Sequence, residues 1–127
     1  INGGKQMTDV WHLPSISRWE KSCGKHPTQK PLTLLTRIIL ASTKPNSWIL
    51  DPFAGSSTTG IAASLTGRRF LGIEQEYDFL NLSKARREEI EDSALRITYC
   101  EKIKDLAFIP TQQIVCEDSS SDYELPF

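Results

Sequence analysis

Apolar and polar positions along this chain change from helical to strand-like spacing and back. Apolar residues recur at helical spacing after Pro31, a residue that suits the first position of a helix. Two short apolar runs are typical of strands, and a helical pattern follows each of them. The predicted helices cover residues 31–42, 58–66 and 77–91, and the predicted strands cover residues 48–50 and 69–73. This order predicts an α/β fold with a β-α-β unit, in which right-handed crossover makes the strands parallel neighbours.

The chain divides into three parts by the same pattern. Residues 1–30 are irregular, residues 31–110 form the α/β portion, and residues 111–127 form an acidic tail that we expect to be disordered. Residues 95–99 alternate between apolar and polar, which predicts a third strand. The chain begins with Ile1 rather than Met, so we expect it to be a piece of a longer protein.

Composition narrows the class of protein but not its chemistry. A chain of 127 residues with 39% hydrophobic and 24% charged residues fits one soluble domain. Its net charge of −1 provides no general attraction for nucleic acid, so a DNA contact must be local. Three widely spaced cysteines indicate neither disulfides nor a metal site, and no segment has the length of a membrane span. We expect a cytoplasmic protein without metal or membrane partners.

The residues after the first predicted strand carry the strongest chemical signal. We call residues 51–59, Asp-Pro-Phe-Ala-Gly-Ser-Ser-Thr-Thr, the Asp51 loop. A small-residue loop between a parallel strand and a helix brings helix-terminal amides to an anionic ligand. The loop lacks the Lys of a P-loop and the glycine spacing of a dinucleotide fingerprint. Glu74 ends the second predicted strand, where an acidic side chain can accept hydrogen bonds from ribose hydroxyls.

A second polar cluster precedes the first helix. Residues 26–31 read His-Pro-Thr-Gln-Lys-Pro, and we call them the HPTQKP segment. Lys30 together with the helix N-terminus could hold the carboxylate end of a ligand. A lone histidine in a loop is more often structural, so His26 is not predicted to be catalytic.

The HPTQKP segment, the Asp51 loop and residues 71–74, Leu-Gly-Ile-Glu, occur in an order and spacing that resemble the β-class DNA amino-methyltransferases. The resemblance covers residues 9–89. It implies a partial Rossmann-like sheet, the cofactor-binding half of a restriction–modification enzyme that methylates adenine N6 or, less often, cytosine N4. The cofactor would be S-adenosylmethionine. The paired serines and residues 19–24 are most similar to members that methylate adenine in GATC.

The resemblance also implies which residues contact the cofactor. The methionine part would lie against the two motifs and the ribose against the acidic residue, giving this set: His26, Thr28, Gln29, Lys30, Asp51, Phe53, Gly55, Ser56, Ser57, Thr58, Thr59 and Glu74. Ser57 stands where the family usually has Gly. Serine fits that position with a negative φ, so we expect a slightly altered but functional loop.

The segment that performs catalysis in this family is absent from the sequence. Family enzymes hold the extruded target base against a D/N/S-P-P-Y/F/W segment, and this chain contains no Pro-Pro pair. We therefore predict no catalytic residue here and no methyl transfer by this chain alone. DNA would be bound mainly by the missing segment. The first strand would leave an apolar edge open, so we expect marginal stability unless the upstream half or a second copy pairs with it.

Other functions remain open at this point. The chain could be a non-catalytic cofactor-binding subunit, a cytosine-N4 enzyme portion, a small-molecule or RNA methyltransferase, or an unrelated α/β nucleotide-binding domain. Local DNA contacts could come from Lys21 and Lys25. Of the remaining basic pairs, 68–69 and 86–87, we interpret the second as a solvated helix face.

Overall fold

The computed structural model describes residues 9–107 of the chain, and side chains as far as residue 103. A short 3₁₀ helix, Arg18–Lys21, precedes the first α-helix. The remaining elements follow in the order α1 (Leu32–Ser42), β1 (Trp48–Asp51), α2 (Thr58–Leu65), β2 (Arg69–Gly72), α3 (Tyr77–Glu89) and α4 (Ser93–Ala107). The predicted β-α-β unit is therefore present, with its helices and strands within two residues of their expected bounds.

The two strands are parallel neighbours, as the crossover rule predicts. Trp48 is paired with Arg69 and Asp51 with Gly72, so both strands end at the same edge of the sheet. Pairing continues briefly beyond β2, where the Ile73 amide donates to the Asp51 carbonyl oxygen over 2.9 Å. This register brings the start of the Asp51 loop beside the segment that leads to Glu74.

The two faces of this sheet have different surroundings. Ile49 and Phe70 point towards a core formed mainly by α1, α2 and α4. A Cβ on Gly60 would come within 2.7 Å of the Phe70 ring, so α2 can lie this close to β2 only because that position is glycine. The opposite face, which we call the outer face, consists of Trp48, Leu50, Leu71 and Ile73, each more than half exposed.

The expected third strand at 95–99 is wrong, because these residues lie within α4. The carboxylate and carbonyl of Asp92 accept hydrogen bonds from the amides of Leu95 and Arg96, over 2.9 and 2.8 Å, and so start the helix. Tyr99 and Ile103, four residues apart, are buried, whereas Leu95 is 42% exposed. Packing against α1 thus selects the helical spacing over the strand-like alternation.

Helix α1 begins where the sequence predicts, although its cap comes from an unpredicted residue. Pro31 is the N-cap residue, one position before the first helical residue. The Leu32 amide donates to the buried Glu20 carboxylate over 2.8 Å, which satisfies a group that the helix itself leaves unpaired. Glu20 therefore ties the 3₁₀ helix to the HPTQKP segment.

The predicted tail at 111–127 lies outside the described residues. None of the described helices combines the length and the apolar character that a membrane crossing requires.

A candidate cofactor-binding loop

Asp51 closes the loop that follows β1. One carboxylate oxygen accepts the Phe53 amide over 3.1 Å, and the other accepts the Thr59 hydroxyl over 2.6 Å. Asp51 ends a strand and Thr59 lies in the first turn of α2, so one side chain joins both ends of the loop. An acidic residue at the strand end is what the sequence predicts, and the structure gives it a direct role in the loop's shape.

Ser57 has a backbone conformation that the sequence analysis did not expect. Its φ is 58° and its ψ is 34°, the left-handed region, which corrects the expectation of a negative φ. The Ser57 amide donates to the Ala54 carbonyl over 2.7 Å, which closes a tight turn just before α2. Serine is strained in this region because its Cβ approaches the following carbonyl. The family's preference for glycine here therefore has a local physical reason.

Glu74 closes the site from the end of β2. One carboxylate oxygen accepts the Gly55 amide over 2.7 Å, and the other accepts the Glu76 amide over 2.9 Å. The hydrogen bonds from the Glu76 and Gly55 amides hold the pKa of Glu74 below its usual range. The two acidic residues selected from the sequence thus contact the same loop, one at its base and one at its middle.

His26 brings the HPTQKP segment to that loop. A Cβ on Gly55 would lie 3.0 Å from the His26 Nε2, so glycine is needed for this approach as well as for its φ of 53°. The ring also packs on Phe79 of α3, with centroids 4.1 Å apart. Its Nδ1 accepts the Thr28 amide over 3.2 Å. These contacts support the structural interpretation of His26.

The remaining predicted residues include both buried and exposed side chains. Gln29 is buried and donates to the Glu20 carbonyl over 2.9 Å, so its amide group holds the protein chain itself. Thr28 and Lys30 are exposed at the start of α1. Phe53 is 89% exposed at the rim of the loop. Ser56 and Thr58 are buried, with their polar atoms directed to α3.

Arg86 is the residue that the sequence analysis misjudged most. It was expected on a solvated face, yet it is 2% exposed and one guanidinium nitrogen contacts three oxygens of the Asp51 loop. These are the Ser56 carbonyl at 2.6 Å, and the hydroxyls of Ser56 and Thr58, both at 3.0 Å. Burial lowers the pKa of Arg86. Arg68, another basic residue considered for DNA contacts, is also buried and donates to Thr43.

A family model described as "DNA methylase" matches residues 2–85, which include the HPTQKP segment, the Asp51 loop and Glu74. The chain belongs to this DNA methylase family. The resemblance of the sequence to DNA amino-methyltransferases is thereby confirmed. The two parallel strands and the helices packed on one face represent a partial form of the predicted sheet.

Individual relatives match the same region. Type II methyltransferase M2.MboI of Moraxella bovis is 61% identical over 90 residues, 71% of this chain and 33% of that protein. M2.DpnII of Streptococcus pneumoniae is 56% identical over 88 residues, 69% of this chain and 33% of the relative. The DNA adenine methyltransferase YhdJ of Escherichia coli strain K12 is 45% identical over 85 residues, 67% of this chain and 29% of that protein. The chain thus spans about a third of the length of these relatives.

A solved structure titled "crystal structure of M1.HpyAVI-SAM complex" is also similar. It shares 45% sequence identity and a TM-score of 0.48, over 50% of this chain and 33% of the other.

Proposed function

We propose that this chain binds S-adenosylmethionine at the Asp51 loop and is the cofactor-binding portion of a methyltransferase that acts on adenine N6 in duplex DNA. The observation that carries this proposal is the loop itself. Asp51 closes its ends, Glu74 holds its middle, and both side chains lie at the carboxyl end of parallel strands. This end of an open α/β sheet is where such folds bind ligands.

The residues of the loop suit the chemical groups of this cofactor. The amides in the first turn of α2 have no partner within the helix, and the Ser57 side chain does not cap them. They can therefore donate to the carboxylate of the methionine part. The Glu74 carboxylate accepts the Gly55 and Glu76 amides and also interacts with the Gln75 amide, and its remaining lone-pair capacity can accept a ribose hydroxyl. Lys30, exposed just before α1, is a cationic residue of the HPTQKP segment, whose His26 lies against Gly55 of the loop.

The chain's own part in the reaction is binding and orientation. S-adenosylmethionine supplies the electrophilic methyl group when bound. The Asp51 loop and Glu74 would hold the two ends of the cofactor, which fixes the direction in which the methyl group faces. The sequence lacks a D/N/S-P-P-Y segment to receive the target amino group, so we propose that this chain alone transfers no methyl. DNA contacts would come mainly from the part of the enzyme that carries that segment.

The outer face supports a partner for this portion. Trp48, Leu50, Leu71 and Ile73 are exposed apolar residues on one face of a parallel sheet, and parallel sheets are ordinarily covered on both faces. We propose that the catalytic part of the enzyme, or a second copy of this chain, covers it. A location in the cytoplasm follows from the proposed DNA substrate and the bacterial origin of the relatives.

Calorimetric titration with S-adenosylmethionine tests the proposal directly. We expect the unmodified chain to bind, and both Asp51→Asn and Glu74→Gln to weaken binding by about tenfold or more, since each removes a charged hydrogen-bond acceptor. Asp78→Asn is the matched control, because Asp78 is an exposed acidic residue in the first turn of α3. Equal affinities for all four proteins, or no binding by a chain whose circular dichroism is that of a folded protein, would refute the cofactor site.

A second measurement tests the division of labour. Transfer of a labelled methyl group to a GATC-containing duplex should be undetectable with this chain alone and should appear when a segment carrying D/N/S-P-P-Y is supplied. Digestion of the product to nucleosides then distinguishes N6-methyladenine from N4-methylcytosine. Transfer by this chain alone would show that a catalytic group lies within it.

A further inference from the structure

One stripe of helix α3 contacts both candidate cofactor segments. Phe79, Ser83 and Arg86 recur at i, i+4 and i+7, which aligns them on one side of the helix. Phe79 packs on His26 of the HPTQKP segment, and Ser83 donates to the Gly55 carbonyl over 2.7 Å. Arg86 donates to the next carbonyl, that of Ser56. Helix α3 therefore packs against the middle of the Asp51 loop, at Gly55 and Ser56.

The contacts on two consecutive carbonyls fix the direction of two peptide groups. A trans peptide is planar, with its N–H opposite its C=O. With the Gly55 and Ser56 carbonyls directed to α3, the amides of Ser56 and Ser57 point away from that helix. The Ser57 amide donates to the Ala54 carbonyl, so the Ser56 amide is the one of the two that can face a ligand. A carbonyl oxygen that turned to the other side would repel an anionic ligand. The hydroxyl of Ser83 and the guanidinium of Arg86 prevent that turn.

The buried guanidinium of Arg86 has loop oxygens as its hydrogen-bond acceptors. Burial of a charge is costly unless it is paired, and its acceptors here are three oxygens of the loop. Glu20 and Glu89 provide the negative charge that favours its ionised form. Glu89 is in turn held by Ser22 and Tyr99, over 2.9 and 2.8 Å. The guanidinium thus donates to the loop, while acidic groups that the protein holds in place favour its charge.

We propose that Ser83 and Arg86 are positioning residues for the cofactor, which hold the loop carbonyls aside so that the Ser56 amide and the amides at the start of α2 can receive the carboxylate of the methionine part. This proposal rests on the proposed function. It adds two residues to the site that do not touch the ligand and that lie 28 to 30 positions beyond the loop residues they contact. The family's motifs do not include them among the cofactor contacts.

The neighbouring residue provides a control of the same type. Arg87 follows Arg86 on α3, but its side chain is 45% exposed and pairs with Glu91 over 3.4 Å at the protein surface. Arg86→Gln and Arg87→Gln therefore remove the same charge from adjacent positions. Only the first change affects the loop. Ser83→Ala removes a single hydroxyl and keeps both arginines.

Two ligands separate positioning from general damage to the fold. S-adenosylmethionine carries the methionine carboxylate, whereas 5′-methylthioadenosine keeps the nucleoside and the sulfur but has no carboxylate. We expect Ser83→Ala to weaken S-adenosylmethionine binding about threefold to tenfold, and Arg86→Gln about tenfold to a hundredfold. Affinity for 5′-methylthioadenosine should be unchanged in both. Arg86→Lys, which keeps the charge and one donor group, should recover part of the loss.

Amide hydrogen exchange without any ligand provides an independent measurement. Amides of residues 53–59 should exchange faster in Ser83→Ala and Arg86→Gln than in Arg87→Gln. If the unmodified chain binds no S-adenosylmethionine, the proposed function fails, and exchange still reports whether α3 fixes the loop. If it binds and the Ser83 and Arg86 variants bind as tightly as Arg87→Gln, the positioning role is overturned. Equal losses for both ligands would overturn it too. Should Arg86→Gln fail to fold, Ser83→Ala decides.

Discussion

The Asp51 loop and the outer face of the sheet adjoin each other but differ in their contacts. Other residues of this chain bind the polar groups of the loop, whereas the apolar side chains of the outer face remain exposed. Asp51, Glu74 and Arg86 supply partners for polar groups along the loop. The outer face, in contrast, leaves the side chains of Trp48 and Leu50 more than 60% exposed. The proposed ligand site is built from residues within the chain, whereas the sheet that supports it has one exposed apolar face.

This difference separates two requirements of a complete enzyme, which are a site for the cofactor and a stable sheet to support that site. The proposed cofactor binding needs the loop, α2, α3 and the end of β2, all of which belong to this chain. A stable sheet also needs cover on its outer face, since large exposed apolar surfaces mark interfaces or aggregation sites. The same chain can therefore hold a well-formed site and still depend on a partner for its stability.

The largest expected effect comes from replacing neighbours that face opposite sides of β2. Phe70→Ala should lower the free energy of unfolding by about 3 kcal/mol, because the ring packs against the core between α2 and the sheet. Leu71→Ala, on the outer face, should change it by less than about 0.5 kcal/mol. Urea denaturation of both variants measures the contrast. A loss for Leu71→Ala that matches that for Phe70→Ala would mean that the outer face is covered in solution.

The second effect concerns that cover. If a second copy pairs through the outer face, the melting temperature should rise with protein concentration, and a hundredfold excess over the dissociation constant is worth about 2.7 kcal/mol. Leu50→Lys should abolish the concentration dependence. Leu95→Lys, at a 42% exposed position on α4, should preserve it. A cooperative melt of a monomer at low concentration, with the same midpoint at high concentration, would contradict the expectation of marginal stability.

The sequence predicted the β-α-β unit because its information is local. Short apolar runs, helical spacing and the acidic residues at strand ends all lie within a few positions of the elements they indicate. The error at 95–99 has the opposite origin. Both an alternating and a helical spacing fit those residues, and contacts of Tyr99 and Ile103 with distant helices favour the helix.

The role of Arg86 could not be predicted from its surroundings in sequence. Its neighbours Arg87, Glu88 and Glu89 are charged, which is typical of a solvated helix face. Its acceptors lie 28 and 30 positions earlier, and only the folded chain brings them together. The backbone conformation of Ser57 was also hard to predict from the sequence. A residue type that tolerates several φ values does not reveal that the loop needs a positive one.

A third and smaller effect tests the backbone strain at Ser57 in the Asp51 loop. Ser57→Gly should raise the free energy of unfolding by about 0.5–1 kcal/mol, since glycine avoids the left-handed strain but loses more chain entropy on folding. Ser47→Gly provides a control at a residue without positive φ and should destabilise or leave stability unchanged. Thermal denaturation measures both. A loss of stability in Ser57→Gly would mean that the Ser57 side chain contributes more than the strain that it causes.

The smallest expected effect is the pH dependence of the same loop. The hydrogen bonds from the Glu76 and Gly55 amides lower the pKa of Glu74 in the folded state, so its contribution to stability is present above the ordinary value of 4.5 and is lost as pH falls through the lowered value. The Gly55 amide signal in an NMR titration should therefore shift below about pH 4.5. Glu74→Gln should remove this titration, whereas Glu76→Gln should keep it, because Glu76 contributes only its backbone amide. A Gly55 signal that titrates equally in both variants would show that another carboxylate holds the loop.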